Sequence, residues 1–166
     1  KPVVCAVNGM AVGGGFEIAM AAEFVVAADH ARFFLPETGL GIIPDAGVIR
    51  LPRMLPPVVA NEVLYGGRRL DAFEAERCGL VNKVVPAADL EDAAMELAGR
   101  IASAAPLAVE AVMAIDRATR HLPLGEAFGH LRSGDLEAYE RMLGSEDAEE
   151  GPRAFAEKRN PYWQGA

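Results

Sequence analysis

Two glutamates and three consecutive glycines are the residues of this chain best suited to chemistry. Gly13-Gly14-Gly15 leads directly into Phe16-Glu17, and Glu37 follows Pro36 further along. Glycine lets the backbone approach a ligand closely. The first N–H groups of a helix that begins there have no partner inside the helix, so the run can receive negative charge. It lacks the Lys-Ser/Thr of a phosphate-binding loop and the spacing of a dinucleotide fingerprint, which argues against ATP and NAD. Taken alone, such a run is more often a tight turn or close packing than an oxyanion hole. Each glutamate taken alone also has a plain explanation, a favourable place in the first turn of a helix. Together they flank a glycine-rich turn in segments dominated by Ala, Phe, Leu and Ile. Two carboxylates that converge in an apolar cleft can divide the work of general acid and general base.

The elements that must position these groups can be read from hydrophobic periodicity. Residues 1–8 are rich in valine and end in Asn8-Gly9, the pattern of a buried strand running into a turn. Residues 16–22 form a short helix of small residues, and residues 24–28 and 31–34 read as two strands around Asp29-His30. From Pro36 to Gly47 the chain is loop-like, the kind of irregular segment that carries sites. Helices begin at Pro57. The first closes at Gly66-Gly67; the next opens at Asp71, with Glu74 three residues on in capping-box spacing, and closes at Gly79. Residues 81–85 form a strand. Beyond Pro86 the pattern is helical, with Leu90, Ala94, Leu97 and Ile101 on one face, Leu124, Phe128 and Leu131 on another, and Leu136, Tyr139 and Leu143 on a third. The expectation is an α/β front half, residues 1–86, followed by a helical region, residues 87–166.

Composition narrows the field. Hydrophobic residues make up 51% and charged residues 24% of the 166, an ordinary globular balance. A formal charge of −8 argues against a nucleic-acid or anionic-membrane surface. Cys5 and Cys78 sit where small buried residues are expected, and without a disulfide pattern the chain reads as cytoplasmic. No apolar run reaches the length of a membrane helix. His30, His121 and His130 make no metal-ligand spacing, so no metal site is expected. The Arg68-Arg69 pair reads as a solvated turn.

The residues from Val7 to Ala19, with Gly13-Gly14-Gly15 and Glu17, resemble the signature of the crotonase (enoyl-CoA hydratase/isomerase) superfamily. Phe34-Leu35-Pro36-Glu37-Thr38-Gly39-Leu40-Gly41-Ile42-Ile43-Pro44 is similar to that family's second motif. The resemblance continues through Leu64-Tyr65-Gly66-Gly67-Arg68 and residues 75–82 to Ala154-Phe155-Ala156-Glu157-Lys158-Arg159, and so covers the whole chain. It implies a spiral of ββα turns followed by helices that build homotrimers, often paired into hexamers. It implies an acyl-CoA thioester substrate, with Gly14 giving an oxyanion-hole N–H to the thioester carbonyl. Glu17 and Glu37 would hold the water that adds across the 2,3-double bond, or leaves it in the reverse reaction. That reaction needs no separate cofactor, since coenzyme A belongs to the substrate. Phe155 and Lys158 would touch the coenzyme A nucleotide, although a lysine at that helix end also suits the dipole of any helix.

Within the family, Pro44-Asp45 and residues 145–152 most resemble the branch that interconverts carnitinyl-CoA and crotonobetainyl-CoA. A trimethylammonium substrate would want an aromatic or acidic pocket, to which Phe16 and Asp45 could belong, while Asp45 could equally just start a helix. Two departures accompany the resemblance. Gly47 runs straight into Val48, one residue short of the family's paired glycines, which is expected to rotate backbone groups beside Glu37. The resemblance also begins partway into the family fold, so an open sheet edge, exposed apolar surface and half an oxyanion hole are expected. An enoyl-CoA isomerase, which needs one dominant carboxylate, and a truncated oligomerising module without turnover are the competing readings.

Overall fold

The computed structural model describes all of residues 1–166. It divides into two compact units, Pro2–Ala98 and Gly99–Ala166, with Lys1 grouped to the second. In the first unit, six strands form two three-stranded sheets. The first sheet holds β1 (Val4–Val7), β3 (Phe24–Ala28) and β6 (Lys83–Val85) in the order β1-β3-β6; the second holds β2 (Met10–Val12), β4 (Arg32–Phe34) and β5 (Leu70–Asp71) in the order β2-β4-β5. β1 and β3 run parallel with Val4 opposite Phe24, and β2 and β4 run parallel with Met10 opposite Arg32. Parallel neighbours need a crossover. Here the crossover is the helix α1 (Gly14–Ala21), so each strand is laid beside the one a full spiral turn later, the ββα winding that the resemblance implies.

The interior explains why these short segments hold. Phe16, Phe33, Leu51, Val63 and Leu70 are wholly buried, and Phe16 and Phe33 meet with ring centroids 5.5 Å apart. A second cluster joins Val26, Ala28 and Val85 to Leu90 and Ala93 of α5 (Leu90–Ala102). Because α5 buries those two residues against β3 and β6, the first unit runs on to Ala98 rather than stopping at residue 86. β1 and β6 are the edges of the first sheet and β2 and β5 those of the second, and Val3, just before β1, and Met10 of β2 are exposed.

Three elements depart from the expected pattern. β2 occupies residues to which no element was assigned, between the Asn8-Gly9 turn and the glycine run, and the two-residue β5 was not expected at all. The helix α2 (Gly47–Met54) starts ten residues before Pro57. Its Pro52 removes one helical hydrogen bond, and burial of Leu51 at 0% exposure secures the helix despite that. The helix α3 (Pro57–Gly66) ends as expected, with Gly67 left-handed at φ 62° and its N–H donated to Val63 O. The helix α4 (Ala72–Arg77) carries the expected capping box: Glu74 N–H donates to Asp71 Oδ1 at 2.8 Å and Asp71 N–H to Glu74 Oε2 at 3.2 Å. Arg68 and Arg69 are not merely solvated. Arg68 pairs with Glu62 and Glu74, linking α3 to α4, and the Arg69 guanidinium lies 4.5 Å from the centre of the Phe34 ring.

The second unit is helical: α6 (Pro106–Thr119), α7 (Leu124–Leu131), α8 (Glu137–Leu143) and α9 (Glu146–Glu157). Arg141 of α8 pairs with Glu110 of α6. Val112, Leu124, Phe128 and Leu143 remain exposed. No single helix of the chain is long and apolar enough to cross a membrane.

Candidate active site

Because β2 and β4 are parallel and in register, Val12 and Phe34 end at the same level. Each strand then gives way to a turn that carries a glutamate. After Val12, Gly13 adopts φ +52°, ψ −122°, a conformation suited to glycine, and donates its N–H to Phe34 O at 3.1 Å. The chain then enters α1, with Gly14 exposed at its first residue and Glu17 in its first turn. After Phe34, Leu35 is buried and Glu37 opens a single 3₁₀ turn, Glu37–Leu40. A level pair of strand ends thus leads into two turns, each of which carries one of two glutamates that lie twenty positions apart in sequence.

The two carboxylates are held differently. Glu17 Oε1 accepts the Gly47 N–H at 2.8 Å, so it caps the start of α2. Arg50 of α2 donates to Met20 O at 3.1 Å, tying that helix to the end of α1. Glu37 instead lies against the Gly13 α-carbon: a methyl group added at Gly13 would sit 2.6 Å from Glu37 Oε1. Its other oxygen, Oε2, is buried and has no hydrogen-bond partner within the chain. Buried polar oxygens are nearly always hydrogen-bonded, and the exceptions concentrate where a ligand or a functional role accounts for them. The arrangement is therefore one carboxylate anchored through a backbone N–H, a second with unspent accepting capacity, and a nearby helix start whose first N–H groups lack helical acceptors. Such a set can hold a water molecule, move its protons, and receive charge that develops on a carbonyl oxygen.

Gly47 is also crowded, though without the positive φ of Gly13. A methyl group there would fall 2.8 Å from Leu35 Cδ1, 3.0 Å from Pro44 Cβ and 3.4 Å from Glu17 Oε1. The shortened turn after Gly47 therefore still delivers an N–H to Glu17. Sequence reasoning weighed Gly47 only for its missing neighbour, and singled out Gly14 rather than Gly13 from the glycine run. The density of Pro36, Gly39, Gly41, Pro44 and Gly47 marks an irregular segment but does not single out Gly47, since a methyl group at Gly39 or Gly41 would meet nothing within 4 Å.

Of the remaining expected site residues, Phe16 departs most. It is 0% exposed in the core against Phe33, so it presents no surface to a ligand in this structure. Asp45 is exposed in the turn before α2, where Ala46 takes the cap position without a side-chain cap, so Asp45 does not serve as the helix cap. Phe155 is 88% exposed on α9, and Lys158 is an exposed residue at its C-terminal cap. Cys5 and Cys78 are free and half-buried, both packed on the core, and burial pushes the Cys5 thiol up from its ordinary value. His30 meets only Asp29, and no cluster of three or more metal-ligating side chains is present.

A family profile described as Enoyl-CoA hydratase/isomerase matches residues 1–166. The chain belongs to that family. Among enoyl-CoA hydratase/isomerase relatives, the carnitinyl-CoA dehydratase of Citrobacter koseri is 56% identical over 166 residues, covering 99% of this chain and 64% of that protein. The carnitinyl-CoA dehydratase of Escherichia coli is 55% identical with the same coverage. The enoyl-CoA hydratase structure from Bacillus anthracis superposes with a TM-score of 0.93 at 41% identity, over 100% of this chain and 63% of that one. The enoyl-CoA hydratase from Mycobacterium tuberculosis gives 0.92 at 36% identity, over 100% and 65%. The chain therefore spans about 64% of the length of these curated relatives.

Proposed function

We propose that this chain carries the acid–base centre of an acyl-CoA hydratase/dehydratase that adds or removes water at the 2,3-position of an enoyl-CoA thioester. The observation that supports the reading is the buried Glu37 Oε2 without a partner, on the turn that follows β4, beside the turn after β2 that leads to Glu17, itself anchored by the Gly47 N–H. In the hydration direction, one carboxylate takes a proton from water as its oxygen bonds to C3. The thioester carbonyl oxygen gathers the enolate charge, which the Gly14 N–H receives, and the other carboxyl group delivers a proton to C2. Elimination reverses each step. A single oxyanion donor is worth about 2.7–4 kcal/mol in well-studied sites.

The relatives named carnitinyl-CoA dehydratase favour carnitinyl-CoA and crotonobetainyl-CoA as the substrate pair, and Asp45, exposed on the turn between Glu37 and α2, is the residue of this chain best suited to face a trimethylammonium group. Phe155 and Lys158 are assigned to the nucleotide part of coenzyme A. The exposed Val112, Leu124, Phe128 and Leu143 favour a homotrimer, or a hexamer of two, and the setting is taken as cytoplasmic.

The test is turnover of crotonyl-CoA and crotonobetainyl-CoA by the natural full-length protein and its Glu17→Gln and Glu37→Gln variants. Each variant is expected to lose about 10²–10⁴-fold in kcat with the fold retained. Wild-type turnover in both would refute the assignment. An isomerase, which uses one dominant carboxylate, would leave one of the two variants nearly silent.

A further inference from the structure

The last nine residues contain a device that neither the fold nor the proposed chemistry requires. α9 ends at Lys158, the only non-glycine residue of the chain with a positive φ, 55°, and the backbone reverses there. L-residues rarely take that conformation unless their surroundings hold them in it. The closing backbone bonds of the helix, Lys158 N–H to Phe155 O at 3.2 Å and Arg159 N–H to Ala154 O at 3.1 Å, form this turn, and a side-chain clamp on both sides of the reversal reinforces it. Arg159 donates Nη1 and Nη2 to Glu150 Oε1 and Oε2 at 2.6 and 2.9 Å, and its Nε donates to Glu157 Oε2 at 2.6 Å. The Tyr162 N–H donates to the same Glu150 Oε1 at 2.9 Å. The chain then runs back along α9 to its start. There the buried Asp147 accepts the Gln164 and Gly165 N–H groups at 2.7 and 3.0 Å, and Trp163 Nε1 donates to Ser103 O at 2.9 Å.

We infer that Glu150 is a positioning residue for coenzyme A binding: by pinning Arg159 and Tyr162, it holds the Lys158 backbone in its left-handed conformation and so fixes where the Lys158 ammonium is presented. The inference rests on the assignment of Lys158 to the nucleotide phosphates. Bidentate arginine–carboxylate pairing is the directional form of an ion pair, and here it spans the one residue whose backbone would otherwise relax. Without it, the last turn of α9 frays and Lys158 moves among many positions, each giving a phosphate only a fraction of its charge.

Binding of coenzyme A to the natural full-length protein, titrated at low and high salt, tests this in wild type, Glu150→Ala, Lys158→Ala and the double variant. Each single variant is expected to weaken binding by about two- to fivefold, the scale of one exposed charge pair. The double variant is expected to bind no more weakly than Lys158→Ala, and all three should lose part of the salt dependence. Glu150→Gln keeps an acceptor for the Tyr162 N–H without the charge and should fall between wild type and Glu150→Ala, which preserves a reading if the alanine variant folds poorly. Additive losses in the double variant would overturn the inference. Weakened binding in Lys158→Ala with wild-type binding in Glu150→Ala would overturn the clamp and leave the Lys158 contact standing. Unchanged binding in Lys158→Ala would overturn the contact and the positioning built on it.

Discussion

Replacing Gly13 with alanine tests the site at its narrowest point. The new methyl carbon would stand 2.6 Å from Glu37 Oε1, and ordinary contact begins at about 3.4 Å, so the carboxylate must withdraw by roughly 0.8 Å. Its neighbours leave little room, because Leu35 beside it is buried and Glu37 Oε2 is already enclosed. A displacement of about 1 Å at a reacting centre costs on the order of 100-fold in rate. The alanine must also adopt φ +52°, which adds about 1–3 kcal/mol of backbone strain. The expected result is a loss of about 100-fold in kcat for crotonyl-CoA hydration, with unchanged far-UV circular dichroism and a lower melting temperature. Gly39→Ala is the control: it lies in the same turn as Glu37, has no positive φ, and its methyl group would meet nothing within 4 Å. Wild-type kcat in Gly13→Ala would refute the contact between Gly13 and Glu37. Equal losses in Gly13→Ala and Gly39→Ala would show that the turn responds to any substitution and that the geometry argued here is irrelevant.

Lys158→Gly is expected to stabilise the protein by up to about 1 kcal/mol, because glycine takes the left-handed conformation without penalty, while weakening coenzyme A binding; thermal melts and titrations that move in the same direction would count against the strain. Glu150 is held down to a pKa of about 2, first by its hydrogen bonds from Arg159 and then by the Tyr162 N–H. A depressed carboxylate contributes stability fully above its ordinary pKa and loses it as pH falls through the folded value. Urea melts should therefore show a constant difference between wild type and Glu150→Gln from pH 7 to about 4.5, shrinking toward pH 2; a difference undiminished at pH 2 would contradict the pairing.

Sequence and structure agree where several weak signals coincide. The glycine run, Glu17 and Glu37 were joined by their apolar, glycine-punctuated surroundings and by the family resemblance, and the Asp71–Glu74 capping box was legible from spacing alone and is present. β2 and β5 were not, since three- and two-residue strands are too short to show a period; they exist only because the spiral supplies partners. α2 was hidden by Pro52 and Gly47, which ordinarily end helices. Phe16 was offered as an aromatic wall for a trimethylammonium group, yet adjacent residues on a helix point about 100° apart. One side chain therefore enters the core while the next faces the cleft. Gly13 and Gly47 owe their importance to atoms distant in sequence, and no local pattern reports that.

The level ends of β2 and β4 make the spiral a ruler. Between Glu17 and Glu37 the chain must traverse one complete winding, and the pairing of Val12 with Phe34 fixes how many residues that winding contains. Gaining or losing one residue there would turn every side chain of β4 to the opposite face, exposing Phe33 and carrying Glu37 away from Gly13. Beyond Phe34 the ruler ends, and no strand pairs again until Leu70. The shortened turn at Gly47 falls within that unmeasured interval. Length can change there without resetting the pairing of β2 with β4, and what such a change disturbs first is the Gly47 N–H that Glu17 accepts.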